Sequence, residues 1–221
     1  MIEKYPRTFH LPFSPKVSND DKKWDESELE EQFFGTEVLI SEKMDGSNVC
    51  LTNKDLFARS HSSAPTHPSF GPLKVFHQEI KNLISDDISF FGEYCFAVHS
   101  VKYTLLPHFL NIFAVRFGDD WLDWDDVQDL SREIGVPTVP VILSGCFSSK
   151  KSFKETIESF ASFSSVYGPT REGLVIRRKN NICQENGKML GIGKYVNSNF
   201  VPGNEHWSKG MFQKQPIILK K

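Results

Sequence analysis

The chain has 221 residues, 39% of them hydrophobic and 24% charged, with a formal charge of −2. That length suits one large domain or two small ones, and the composition is that of an ordinary globular protein rather than a disordered one. The longest apolar runs, such as Phe90-Phe91 or Cys95 to Val98, fall far short of the roughly 18 residues a membrane helix needs.

Other classes are also disfavoured. The first residues lack the basic-then-apolar layout of a secretory signal, so a cytoplasmic location is expected. Cys50, Cys95, Cys146 and Cys183 form no C-x-x-C pair, which argues against a zinc site or a disulfide framework and for reduced, mostly buried thiols. The charge is uneven: Asp119 to Asp129 is acidic, while Arg171 to Lys194 and Lys209 to Lys221 are basic. A nucleic-acid partner is therefore allowed locally.

In chain order, the first 35 residues hold turn formers (Pro6, Pro12, Pro15, then Ser18-Asn19-Asp20-Asp21) and a charged stretch, Trp24 to Phe34, expected to be helical. Two strands flank Asp45-Gly46 between Thr36 and Thr52, a hairpin-like signal with Lys43 at its inner edge. A polar loop, Arg59 to Gly71, leads to a helix with apolar positions Val75, Phe76, Ile80, Leu83 and Ile84. Strands are expected at Ser89–Val98 and Leu110–Phe117, a helix at Trp124–Ile134, and a strand at Thr138–Leu143. A further helix opens at Ser152 as N-cap, with Glu155 three residues on, and strands at Glu172–Arg178 and Met189–Val196 end the series. Strands and helices interleave without a regular βαβ period, which predicts an α+β fold with antiparallel sheets.

The run Ser41-Glu42-Lys43-Met44-Asp45-Gly46-Ser47-Asn48 places a lysine at a strand end before a turn. Alone it is a short pattern, and a lysine there is usually a solvated surface residue. Further along stand Arg59, Gly92-Glu93-Tyr94, Phe113, Glu172-Gly173-Leu174 and Gly193-Lys194-Tyr195-Val196. In type and order this series resembles the motif set of the covalent nucleotidyltransferases, the superfamily of ATP-dependent DNA and RNA ligases and mRNA capping enzymes. Asn48, in the Gly-x-Asn form, the stretch Gly92 to Tyr103 and the ending Glu205-His206-Trp207 are similar to the RNA-ligase versions. The resemblance runs from about Tyr5 to Trp207.

It implies an α+β, ATP-grasp-like nucleotidyltransferase domain over residues 36–221, with antiparallel sheets flanked by helices around a nucleotide cleft. Residues 1–35 would be a lead-in packed on it, and no C-terminal OB-type domain would follow. The activity implied is ATP-dependent joining of RNA 3′-hydroxyl and 5′-phosphate ends through a lysyl-AMP on Lys43. Lys194 would contact the α-phosphate, and Glu172 would hold Mg²⁺ or Mn²⁺, with Glu93 as a second metal candidate. Glu93 would accept from the ribose hydroxyls, Phe113 would stack on adenine and Glu42 would lie near it. Asp45 and Asn48 would complete the nucleotide site, and Arg59 would bind the sugar or the RNA 5′-phosphate end.

Chemistry explains the residue types. A lysine at its reference pKa is neutral in about one molecule in 2,500 at pH 7, a penalty of roughly 4.6 kcal/mol for a nucleophile. A neighbouring cation, either Mg²⁺ or the Lys194 ammonium, favours the free amine by repelling the charged form.

Plainer roles stay open: Phe113 as core, Glu93 and Glu172 as strand-edge carboxylates, and His99 as a core histidine rather than a ligand or RNA contact. Many RNA ligases carry a second lysine two residues after the first in the last motif, where this sequence has Val196. Arg177, Arg178 or Lys188 are the expected substitutes toward pyrophosphate. RNA phosphates are expected to meet Arg59, the Arg171/Arg177/Arg178 cluster and the basic tail, and a partner protein is a candidate for the missing C-terminal domain. The competing readings are a DNA ligase, a GTP-using capping guanylyltransferase, and a non-catalytic nucleic-acid-binding module.

Overall fold

The computed structural model describes residues 4–19, 21–59, 63–201, 208 and 211–218. Its elements are β1 (Arg7–His10), α1 (Leu29–Phe33), β2 (Glu37–Lys43), β3 (Ser47–Leu51), β4 (Leu56–Ala58), α2 (Gly71–Ile80), β5 (Ile88–Tyr94) and β6 (Leu110–Phe117). Then come β7 (Asp120–Trp121), α3 (Trp124–Glu133), β8 (Val141–Cys146), α4 (Lys150–Ala161), β9 (Gly173–Arg178), β10 (Cys183–Glu185) and β11 (Lys188–Val196). The fold is α+β with antiparallel-dominated sheets. No helix among the described residues is long and apolar enough to cross a membrane. Of the four cysteines, all free, Cys50 and Cys95 are buried and Cys146 and Cys183 exposed.

The chain divides into two compact units. One, the Lys43 unit, comprises Pro6–Met44 and Pro140–Val201; the other, the Asn48 unit, comprises Met1–Tyr5, Asp45–Val139 and Pro202–Lys221.

In the Lys43 unit the strand order is β1-β11-β9-β2-β8, with β10 on β11, and only the β1–β11 pair is parallel. Alternation along the strands sorts its side chains onto two faces. Val38, Ile40, Leu174, Ile176 and Tyr195 point to one face, where they pack with Leu11, Trp24, Leu29 and Phe33 and with Phe153, Ile157 and Ala161 of α4. Phe33 and Phe153 stack there at 5.5 Å between centroids, both fully buried. Ser41, Lys43, Val175, Lys194 and Val196 share the opposite face.

Helix α4 starts one turn earlier than the sequence suggests. Ser149, not Ser152, is its N-cap, its hydroxyl accepting from the Ser152 N–H at 3.2 Å. The expected Trp24–Phe34 helix shrinks to Leu29–Phe33, because Trp24 is drawn into the core, its indole N–H donating to the Ile192 carbonyl at 3.0 Å.

In the Asn48 unit the order is β4-β3-β5-β6-β7, all antiparallel. Helix α2 buries Leu73, His77 and Ile80, while the expected core positions Val75 and Leu83 are exposed.

The strands on either side of Asp45-Gly46 are not a hairpin. β2 pairs with β8 and β9, whereas β3 pairs with β4 and β5. The turn residues bond elsewhere instead. Asp45 Oδ2 accepts from the Ser100 and Val101 N–H groups at 2.7 and 2.6 Å, and its own N–H donates to the Tyr103 hydroxyl at 2.7 Å. Gly46 approaches the Tyr94 carbonyl so closely that a Cβ there would lie 2.6 Å from its oxygen.

Candidate active site

Lys43 is the last residue of β2, and its register partner on β9 is Gly173. The central position needs glycine: a Cβ on Gly173 would fall 2.0 Å from the Tyr195 carbonyl oxygen of β11. Glu172, immediately before β9, places Oε1 2.6 Å from Lys43 Nζ, in a pair with 26% and 10% side-chain exposure. Lys194, in register with Val175 and so on the same face as Lys43, places Nζ 3.1 Å from Asp21 Oδ2. Burial lowers the Lys194 pKa and the Lys43 charge adds to that, against the opposing pull of Asp21 and Glu172.

Asp21 joins a wider network. Its Oδ2 also meets His10 Nε2 at 3.1 Å and accepts from the Ser18 hydroxyl at 2.9 Å. Burial alone would raise the Asp21 pKa, but the bonds from His10 and Ser18 and the Lys194 charge bring it down to about 2. His10, 2% exposed, has Nδ1 3.0 Å from Ser14 Oγ, and that oxygen accepts from the Val196 N–H at 3.1 Å. Burial first, then the Lys194 charge, lowers the His10 pKa.

The strand pleat sends Glu42 to the face opposite Lys43. There it is 1% exposed, with Oε2 accepting from the Val166 N–H at 2.9 Å and lying 3.5 Å from Arg171 Nη2. Glu42 Oε1 and Arg171 Nε are both buried without a hydrogen-bond partner among the described residues. Burial raises the Glu42 pKa, against bonds from Ser165, Val166 and Arg171.

Other cations expected at the site are engaged elsewhere in this unit. Lys188 Nζ lies 2.8 Å from Glu28 Oε1 and 3.7 Å from the Trp24 ring centroid. Arg178 donates from Nε to the Gln32 carbonyl at 2.7 Å and from Nη2 to the Glu31 carbonyl. Of the Arg171/Arg177/Arg178 cluster expected to meet RNA phosphates, Arg171 and Arg177 are buried, at 7% and 3% exposure, and Arg178 is half-buried.

The Asn48 unit gathers a second group. Asn48, Glu93 and Asn111 are register partners across β3, β5 and β6, forming a polar row on one sheet face. Glu93 Oε1 accepts from the Gly46 N–H at 3.0 Å, tying the Asp-Gly turn to β5. Phe113 is the extra residue of a bulge in β6, between Ile112, opposite Gly92, and Ala114, opposite Phe91. Its ring meets Tyr5 edge-on at 4.9 Å between centroids. Asp45 bonds to the Ser100 and Val101 N–H groups and the Tyr103 hydroxyl as described above, and Arg59 is exposed. Ser47 Oγ lies 3.4 Å from His99 Nε2. Glu205, His206 and Trp207 lie outside the described residues, as do Lys209, Lys220 and Lys221 of the basic tail.

The model of the RNA ligase family matches residues 36–196. The chain belongs to the RNA ligase family. Solved structures similar to this RNA ligase family member share its fold. An archaeal ATP-dependent RNA ligase is 17% identical over 89% of this chain and 49% of its own, with a TM-score of 0.55. A putative ATP-dependent DNA ligase from Aquifex aeolicus is 18% identical over 89% and 50%, with a TM-score of 0.55. A Naegleria gruberi RNA ligase mutant with ATP and Mn is 14% identical over 89% and 56%, with a TM-score of 0.58. The chain thus spans about half the length of the structures it matches. No curated protein matches the sequence.

The structure brings Lys43, Glu172 and Lys194 together in one unit, and Asn48, Glu93 and the Gly46 amide in the other. Sequence reasoning missed His10, Ser14 and Asp21. Asp21 sat in a run of turn formers, and the parallel pairing of β1 with β11 has no local signature. Among the described residues no three His, Cys, Asp or Glu side chains converge as a cation cage. Magnesium is commonly held by one or two carboxylates with substrate phosphates and water, and the Glu172 carboxylate suits that mode.

Proposed function

We propose that this RNA ligase family member is an ATP-dependent ligase that seals RNA ends through a lysyl-AMP on Lys43. One observation carries the reading: Lys43 ends a central strand beside the Glu172 carboxylate, with Lys194 on the same sheet face. The Lys43 amine attacks the α-phosphorus of ATP, so a P–N bond forms as the P–O bond to pyrophosphate breaks. AMP then passes to an RNA 5′-phosphate, and a 3′-hydroxyl displaces it.

The Glu172 carboxylate, with Oε1 2.6 Å from Lys43 Nζ, would take the proton that the amine must lose. The Lys194 ammonium neutralises charge on the α-phosphate, where a buried cation acts more strongly than in water. Glu172 would hold the divalent cation, which would supply positive charge to the phosphates and disfavour the ammonium form of Lys43. Glu93 would accept from the ribose while its Oε1 holds the Gly46 amide, and Phe113 would offer a ring to the base. Exposed Arg59 would fork onto the RNA 5′-phosphate.

The test is incubation with α-labelled ATP or GTP and a divalent cation, followed by denaturing electrophoresis. Label from ATP that is lost in Lys43→Ala supports the reading. No label from either nucleotide, or label that persists in Lys43→Ala, overturns it. Sealing assays on nicked RNA, single-stranded RNA and nicked DNA decide the substrate, and preference for an all-DNA nick would move the assignment to DNA.

A further inference from the structure

In most lysines the four-carbon stem leaves the ammonium free to wander. Lys194 is instead the end of a hydrogen-bonded chain whose directions are all fixed. An ionised carboxylate only accepts, so His10 Nε2 must carry the hydrogen given to Asp21 Oδ2. Burial and the nearby Lys194 charge favour neutral His10. With its one hydrogen on Nε2, its Nδ1 is an acceptor, so Ser14 Oγ, which accepts from the Val196 N–H, gives its own hydrogen to His10 Nδ1.

The backbone holds the chain in place. β1 sets His10 beside Lys194 in parallel register, the His10 N–H donates to the Lys22 carbonyl, and the Trp24 N–H donates to the His10 carbonyl, both at 2.8 Å. The last motif carries a single cation: Val196 stands where a second lysine is common, and its backbone N–H anchors the far end of this same network.

We propose that Asp21, oriented by His10 and Ser14, is a positioning residue for Lys194, holding its ammonium in place and protonated on the sheet face that carries Lys43. The inference rests on the reading of Lys194 as the cation of the nucleotidyl transfer. Among the described residues the charged groups that act on Lys194 are Asp21, Lys43 and Glu172, with His10 behind Asp21. Burial and Lys43 press Lys194 toward the neutral amine, and Asp21 is the bonded group that opposes them.

The decisive variant is Asp21→Asn, which keeps the shape and removes the charge. In the ligand-free protein the Lys194 side-chain amine is followed by NMR of labelled lysine, its signal assigned with Lys194→Arg. Its titration midpoint is expected to fall by about one pH unit or more, a tenfold change in its proton affinity. In single-turnover adenylation the alkaline limb should move down in step, and the rate at neutral pH should drop roughly tenfold, as losing a charge-assisted hydrogen bond does.

His10→Gln keeps a donor toward Asp21 and should restore most of the rate lost in His10→Leu. An unmoved Lys194 midpoint with an unmoved pH profile in Asp21→Asn overturns the proposal. Should Asp21→Asn fail to fold, equal adenylation in His10→Gln and His10→Leu does the same. A wild-type protein that takes no label from ATP refutes the functional reading alone, since the NMR titration still decides whether Asp21 governs Lys194.

Discussion

Arg171→Met isolates the buried pair behind the candidate site. In the folded chain Glu42 and Arg171 have side-chain exposures of 0% and 4%, so removing the guanidinium strands a carboxylate with almost no access to water. Breaking such a pair from one side commonly costs about 3–5 kcal/mol. Here the loss has a ceiling, because Glu42 can escape by taking a proton. From a reference pKa of about 4.3, protonation at pH 7 costs about 2.7 units, or roughly 4 kcal/mol.

The expected destabilisation is therefore about 4 kcal/mol at pH 7, read from urea denaturation followed by circular dichroism. It has a signature in pH. The folded variant holds one proton more than the unfolded chain above about pH 4.3, so its stability falls as pH rises, by about 1.4 kcal/mol per unit, until the raised folded pKa is passed. The defect should shrink toward pH 5, and the double variant Glu42→Gln/Arg171→Met, with no stranded charge, should recover most of the loss. A cost below about 1 kcal/mol at pH 7, or one that stays level from pH 5 to 8, would refute the account.

Gly173→Ala puts a methyl 2.0 Å from a backbone oxygen that no side-chain rotation can relieve, so a loss of about 3 kcal/mol or more in urea denaturation is expected, with adenylation falling as the β9–β11 pairing opens. Glu172→Gln keeps the shape beside Lys43 but removes the negative charge proposed to take its proton and to hold the metal, and should slow single-turnover adenylation by about a hundredfold or more in protein whose circular dichroism is that of the folded chain. His10, whose folded pKa lies below the reference, is protonated more readily in the unfolded chain; its contribution is whole above about pH 6.5 and is lost as pH falls through that value toward the folded pKa. The matching slope in a pH series of denaturation midpoints should vanish in His10→Gln.

How much of this could be read from the chain differs by element. β6 was legible to the residue, because Leu110–Phe117 is a continuous strand former bounded by turn signals. The short strand β1 was not. It carries no apolar alternation strong enough to stand out among prolines, and it exists because β11 offers it an edge. The false hairpin has a similar cause: Asp-Gly between two strands is a sound local signal, but the backbone at Ser100 and Val101, with Tyr103 and Glu93, claims the turn's polar groups, and no nearest-neighbour pattern reports them. At α2 the period was right and the face was off, since His77, bonded to the Thr52 carbonyl at 2.7 Å, takes a buried place that Val75 was expected to fill.

At the candidate site, residue types were legible and their orientations less so. Glu42 and Lys43 are adjacent in sequence and so lie on opposite faces of β2. One carboxylate sinks behind the sheet against Arg171, and one amine stands on the other face against Glu172. The last motif repeats the pattern one strand over: Lys194 and Val196 face the Lys43 side, while Tyr195 between them joins the apolar core. Two lysines, and Glu172 beside the first, are thereby fixed by three neighbouring strands whose reverse side is packed with aromatic and aliphatic side chains. A rigid sheet with a dry back is what lets a flexible amine be held to one geometry. The segment that sequence reading took for a lead-in enters that geometry, since it supplies both the edge strand β1 and the carboxylate at 3.1 Å from Lys194.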